Sequence, residues 1–323
     1  MPGAVDLDLL NSGYVDLQIN GYFGIDFNDP RATPVQIARA AAELQKIGVR
    51  AAIPTVITAD LESMCTCLRN IVESKQIDPL AKKIFRGIHI EGPFLSPLPG
   101  YIGAHPPEQA QRSDLGVLTR LLDAAQGDAR LITLAPEIDV DGGLTREAVD
   151  RGCVVAAGHT DASLADLQRC IDSGLSLFTH LGNGCPRQMD RHDNIIYRAL
   201  SMSGQLSYTL IADGAHIPEL LFRNLLNWVD HHRLCVVSDA ISAAGLGPGT
   251  YGIGHRQVTV GDDRVAWDVH EGHFVGSASS IRDADQWLAN CLGLDVALRR
   301  LLLCENPARM ARLCMPIQDV PAS

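Results

Sequence analysis

The chain reads as an α/β protein, a (β/α)8 TIM barrel with a β-hairpin inserted after strand 8. Three observations predict this. Eight short β-rich runs recur along the sequence, helical patterns separate them, and the runs repeatedly finish on an ionisable or amide side chain. Strands that alternate with helices pair in parallel through βαβ units, and eight such units close a barrel.

The expected strands span residues 14–20, 49–58, 86–91, 131–137, 153–160, 176–180, 206–213 and 234–239. Between them lie stretches such as PVQIARAAAELQKIG and SLADLQRCIDSG, whose apolar residues recur at helical spacing and which end in Gly. An open doubly wound sheet is the competing architecture, but no G-x-G-x-x-G follows the first strand at Asn20-Gly21. Residues 245–277 break the alternation with Gly and polar residues around RQVTV and RVAWDV, which predicts the inserted hairpin. Closing helices are expected over 280–290 and 294–304, with a short turn near 308–313. The whole of residues 1–323 is expected to be one barrel domain.

Composition narrows the function. A net charge of -11 argues against a nucleic-acid binder, though a few local cations would suffice for an anionic small substrate. The acidic N-terminus MPGAVDLDLL has no signal-peptide pattern, and no apolar run reaches membrane-spanning length. Nine scattered cysteines fit reduced thiols in a cytoplasmic protein.

The chemistry is expected at the C-terminal ends of the strands. Strand 1 ends in Gln18 and Asn20, strand 3 in Glu91, strand 4 in Glu137, strand 5 in His159, strand 6 in His180 and strand 8 in Asp239, while His216 follows strand 7. Glu91, His159 and His180 form a candidate metal set. Two imidazoles and a carboxylate suit Zn2+ with a position left for water, and also accept Fe2+, Mn2+ or Co2+. Such an ion lowers the pKa of its water toward ~7. Asp239 is then the general base, carrying the water's proton to a leaving nitrogen. His105, in the loop after strand 3, is expected to polarise the substrate carbonyl. Each residue alone also has a plainer reading, as a hydrogen-bonded structural His or a capping carboxylate. Glu137 is read as such a carboxylate, and His89, alternating with Glu91, as a supporting or core residue. His231 and His232 are read as solvated, and His255, His270 and His273 are given no role.

At this point the motifs resemble those of the N-acetylglucosamine-6-phosphate deacetylases, a branch of the amidohydrolase superfamily. Gly13-Tyr-Val-Asp-Leu-Gln-Ile-Asn-Gly21 resembles the branch's first barrel strand, where Gln18 and Asn20 stand in place of a His-x-His pair and favour one metal over two. His89-Ile-Glu-Gly-Pro-Phe94, Gly103-Ala-His105, Ala157-Gly-His-Thr160, Thr179-His-Leu-Gly-Asn183, Ala212-Asp-Gly-Ala-His216, Ser238-Asp-Ala240 and Gly276-Ser277 follow in the family's order. The resemblance implies hydrolysis of the N-acetyl amide of an amino-sugar 6-phosphate to acetate and free amine. It implies that Asn183, the Gly184 backbone and Arg191 hold the phosphate, with Arg187 as a second candidate. Arg191 would reach across from a neighbouring subunit, which implies a homodimer. His216 would bind the sugar. The family's small β-sandwich domain is expected to be absent. Gly184-Cys185 and Tyr101-Ile102 depart from the family pattern at the sugar pocket. Two alternatives stay open: a related N-acyl substrate such as the galactosamine isomer, and a non-catalytic sugar-phosphate-binding barrel.

Overall fold

A computed structural model describes residues 13–253, 256–269 and 274–313. Eight parallel strands form the barrel: β1 Tyr14–Ile19, β2 Val49–Ile57, β3 Ile88–Glu91, β4 Ala129–Leu134, β5 Val154–Ala157, β6 Leu177–Phe178, β7 Ser207–Ile211 and β8 Leu234–Val237. Each neighbours the next in order. The seam between β8 and β1 closes just past β8, where the Asp239 N–H donates to Gln18 O at 3.0 Å and the Asn20 N–H to Ala240 O at 2.7 Å.

Local chemistry explains the alternation. The helix Pro34–Lys46 starts on a capping box between Thr33 and Gln36 with Pro in its first turn. Leu164–Asp172 and Ile281–Asn290 start on Ser boxes, and Leu61–Ile77 on the Asp60 side chain.

Strand parity divides the core. Ile88, Ile90, Ile132, Leu134, Val155, Ala157, Tyr208, Leu210 and Val236 pack outward against the helices. Val15, Ala51, Ile53, Leu131, Val154, Leu177, Cys235 and Val237 fill the barrel, with Met310 and Ala311 packed into the same cluster. A register shift in β1 between Asp16 and Ile19 interrupts its alternation, and Gln18 meets Glu91 inside the barrel.

The expected strand boundaries run long at the C-terminal ends. His159, His180 and Asp239 lie just beyond β5, β6 and β8. The expected hairpin is larger than its sequence signal. Gly249–Ile253, Arg256–Val260, Val265–Asp268 and Phe274–Ser277 form a four-stranded antiparallel sheet. Its outer strands GTYGI and FVGS carry too much Gly to register as strands. This sheet joins the barrel where Ser277 N–H donates to Asp239 O at 3.0 Å and Ile241 N–H to Ser277 O at 2.9 Å. The closing segment is Ile281–Asn290, then Val296–Arg300 running through a π turn into Asn306–Met310. His255, His270 and His273 lie outside the described residues. His232 is exposed, but His231 is half-buried against the Leu226 carbonyl at 2.9 Å and so is not merely solvated. Among the described residues no helix is long and apolar enough to cross a membrane.

Candidate active site

Glu91 is the centre of the site. It ends β3 facing inward and is 2 % exposed. His180 Nε2 lies 2.9 Å and His159 Nε2 3.3 Å from its Oε1, and His105 Nε2 lies 3.9 Å from its Oε2. Gln18 Nε2 donates to both carboxylate oxygens at 3.2 Å. Burial alone would raise the Glu91 pKa, but hydrogen bonds and charge from His159 and His180 hold it well below the usual carboxylate range.

The ring nitrogens sort these histidines by role. The Tyr101 carbonyl accepts from His159 Nδ1 at 2.8 Å, which leaves Nε2 as the ring nitrogen facing Glu91. A cation set between Nε2 and the carboxylate would take the place of the hydrogen bond. His105 is the opposite case. The Thr58 N–H donates to its Nδ1 at 3.4 Å, which leaves the proton on Nε2, facing the site. Burial, reinforced by charge on His159, pushes its pKa down to about 3 and keeps the ring neutral. His180 is 1 % exposed and its Nδ1 has no hydrogen-bond partner.

By distance alone, the ligand atoms of Glu91, His105 and His159 all lie within 4.8 Å of one another, a possible cation cluster. That grouping differs from the expected one by exchanging His180 for His105. His180 Nδ1 has no partner and can carry the ring proton, which frees Nε2 to coordinate, whereas the Thr58 contact holds the His105 proton on Nε2. The donor set therefore fits a divalent cation: one buried carboxylate and imidazole lone pairs converging on it.

Asp239, 6 % exposed, accepts from Asn20 Nδ2 at 2.7 Å. Burial, helped by the Glu91 charge, raises its pKa to about 6 against the downward pull of His180 and the Asn20 hydrogen bond. A carboxyl poised there suits proton transfer near neutrality. A cavity of about 220 Å³ opens over these groups, lined by Asn20, Glu91, His105, His159, His180 and Asp239. Asn183, Arg256 and Phe274 also line it.

The remaining candidates are spread around this cavity. Gln18 lies beneath Glu91 and Gly184 against the His159 ring, where an added Cβ would sit 2.8 Å from Nδ1; Gly184 also has φ of +60°. His216 packs on Phe274, ring centroids 4.9 Å apart. Its Nδ1 faces Asp213 Oδ2 at 2.7 Å, and its buried Nε2 has no partner. Asp213 was not singled out in the sequence, although Asp-x-x-His spacing carries the signal. Arg191 is exposed on the loop after β6. Arg187 stands over the Trp267 and Phe274 rings, 5.9 and 5.8 Å from their centroids. Glu137 braces the loop after β5, accepting from Thr160 Oγ1 and from the Asp161 N–H at 2.9 Å.

No family model matches the chain. It is 31% identical over 294 residues to the N-acetylglucosamine-6-phosphate deacetylase of Bacillus subtilis, covering 90% of this chain and 72% of that protein. It is 27% identical over 307 residues to the N-acetylgalactosamine-6-phosphate deacetylase of Escherichia coli O157:H7, covering 94% and 78%. The crystal structure of the N-acetyl-D-glucosamine-6-phosphate deacetylase from Mycobacterium smegmatis superposes with a TM-score of 0.83 at 28% identity, covering 93% of this chain and 78% of that one. With that identity carried across most of each partner, and the same barrel beneath it, the chain belongs to the N-acetylglucosamine-6-phosphate deacetylase family of the amidohydrolases.

Proposed function

We propose that this protein is a metal-dependent deacetylase that hydrolyses N-acetylglucosamine 6-phosphate to glucosamine 6-phosphate and acetate. The observation that carries the reading is the opposed engagement of two Nδ1 atoms about Glu91, that of His105 accepting from the Thr58 N–H and that of His159 donating to the Tyr101 carbonyl. Glu91, His159 and His180 would hold one divalent cation, with Zn2+ favoured by the donor types. When bound, that cation supplies a Lewis acid and lowers the pKa of water toward ~7. His105 donates its Nε2 proton to the amide oxygen as negative charge gathers there. Asp239 takes the proton from water and returns it to the leaving nitrogen, with Asn20 holding the carboxylate in line. The unpartnered His216 Nε2 accepts a sugar hydroxyl, its ring held by Asp213. Asn183, the Gly184 N–H and an arginine bind the phosphate. Arg191 would serve a homodimer partner's site and Arg187 its own; the position of Arg187 over Phe274, which lines the cavity, supports it as an in-chain ligand. The reaction is carried by one barrel unit. Unpaired cysteines, eight among the described residues, support a cytoplasmic setting.

Acetate release from N-acetylglucosamine 6-phosphate with added Zn2+, Fe2+, Mn2+ or Co2+ is the direct test. The galactosamine isomer and unphosphorylated N-acetylglucosamine run beside it. Turnover of the first compound well above the others is expected. Faster turnover of the isomer would move the assignment to the activity named for the E. coli relative. No release under any cation would leave a sugar-phosphate-binding barrel.

A further inference from the structure

Directly beneath the proposed ligands the barrel interior carries polar side chains that the chemistry above leaves unused. His89, Thr133 and Thr179 come from β3, β4 and the end of β6 and are at most 1 % exposed. His89 Nε2 lies 2.8 Å from Thr133 Oγ1, and Thr133 Oγ1 lies 2.7 Å from Thr179 Oγ1. Burying three polar groups is unfavourable unless each is satisfied.

The direction of the hydrogen bonds follows from the partners. His89 Nδ1 also lies 3.5 Å from Thr55 Oγ1, which accepts from the Ile19 N–H at 3.1 Å. The tautomer with the proton on Nδ1, facing Thr55, leaves Nε2 to accept from Thr133. Thr133 then spends its only proton on His89, so its oxygen accepts from the Thr179 hydroxyl. The chain runs one way, Thr179 to Thr133 to His89.

Each link adjoins one of the proposed ligands along the chain or across the sheet. His89 precedes Glu91 by two residues on the same strand face. Thr133 is the register partner of Glu91. Thr179 immediately precedes His180, whose own N–H is held by Thr209 Oγ1 at 2.6 Å. Gly158 immediately precedes His159, and a Cβ on it would meet Thr133 Cγ2 at 2.7 Å and Thr179 Cβ at 3.2 Å. The two threonines therefore fill the space from which the backbone turns out toward His159.

We infer that the Thr179–Thr133–His89 hydrogen-bond chain is a positioning device that sets Glu91, His159 and His180 at cation-binding spacing. The inference rests on the cation reading of the site. Thr133 is its central residue, because replacing it strands an acceptor on His89 and a donor on Thr179 together.

The test uses Thr133→Val, which keeps the β-branched shape and removes the hydroxyl, with Thr133→Ser as rescue. Zinc affinity is read by chelator competition, and the metal-free melting temperature is read separately. Affinity should fall about 10–100-fold in the valine variant, the range for loss of a ligand-supporting hydrogen bond, and should return with serine. Because the chain acts as a unit, Thr179→Val added to Thr133→Val should cost far less affinity than it does alone. If Thr133→Val does not fold, Thr179→Val, which removes only the terminal donor, carries the same comparison. Zinc affinity within twofold of wild type in a folded variant overturns the inference while leaving the cation site standing. A wild-type protein that takes up no divalent cation overturns the reading of the site, and this inference with it.

Discussion

Removing the Asn20 amide should move the acid limb of the rate profile without abolishing catalysis. Asn20 Nδ2 donates to Asp239 Oδ1 at 2.7 Å in a site where Asp239 is only 6 % exposed, so water cannot readily replace it. A hydrogen bond to a charged group contributes about 1.5–3 kcal/mol. At 1.36 kcal/mol per pKa unit, its loss raises the carboxyl by roughly one to two units. Asp239 starts at about 6, lifted mainly by burial. The base must be ionised to accept a proton, so kcat/KM climbs with pH through that pKa. In Asn20→Leu, which keeps the volume and drops the donor, the limb should therefore shift upward. Well below it, rates should fall roughly 10–100-fold, the factor that follows from one to two units. Above the new limb the plateau should be nearly restored. A bound cation lowers both limbs alike and leaves their separation. The assay is initial acetate release at limiting substrate from pH 5 to 9. A limb that stays put would remove Asp239 as the titrating base; a uniform drop at every pH would mean that Asn20 only shapes the site.

Asp239→Asn should keep its cation, by elemental analysis of the purified protein, and lose roughly 10²–10⁴ in rate. Arg187→Ala or Arg191→Ala, whichever removes the phosphate contact, should raise KM about 10–100-fold for the phosphorylated substrate alone. If Arg191 acts across a dimer, mixing inactive Asp239→Asn with Arg191→Ala subunits should restore part of the activity, and no recovery would count against a shared site. Asp16 is 1 % exposed, its Oδ2 has no partner, and burial pushes its pKa up to about 7. A raised folded pKa contributes stability fully below the unfolded value and loses it as pH rises toward 7. Asp16→Asn keeps the oxygen that accepts from Gln18 and Ser238. It should gain on wild type between pH 4 and pH 8 by at most roughly 4 kcal/mol, read from urea midpoints; a pH-independent difference would refute the assignment.

The sequence carried the barrel and most of the site because both are written in periodicity. Apolar runs that end in His89-Ile-Glu91 or Val237-Ser-Asp239 show their inward residues by alternation. Periodicity says nothing of where a strand leaves the sheet. Leu177–Phe178 is only two residues long, so His180 stands two residues past its strand rather than at its end. Ring protonation was equally out of reach. It depends on the Thr58 N–H and the Tyr101 carbonyl, which no spacing links to His105 and His159. Thr133 and Thr179 look like ordinary strand residues until β4 and β6 are set on either side of β5. The inserted sheet was half visible, through its two inner strands alone.

Parity leaves one problem that the backbone answers. On β5, Val154 and Ala156 face the barrel interior, so Gly158 should follow them inward and His159 should face out. On β6, Leu177 faces in, so Thr179 should follow and His180 should face out. Both histidines nevertheless reach Glu91. Their φ values are +51° and +33°, and Asp239 has +48°. Among the described residues only seven non-glycine residues have positive φ, and three of them are these site groups. Such conformations cost on the order of 1–3 kcal/mol each and persist only where surrounding structure over-determines them. Here the reversal gives each inward position two occupants in sequence. The in-phase residue, Gly158 or Thr179, packs into the supporting layer, and the out-of-phase histidine folds back above it. A histidine simply placed in phase would have displaced that layer, so the strain at His159 and His180 is what allows the proposed ligands and their support to share the same strand ends.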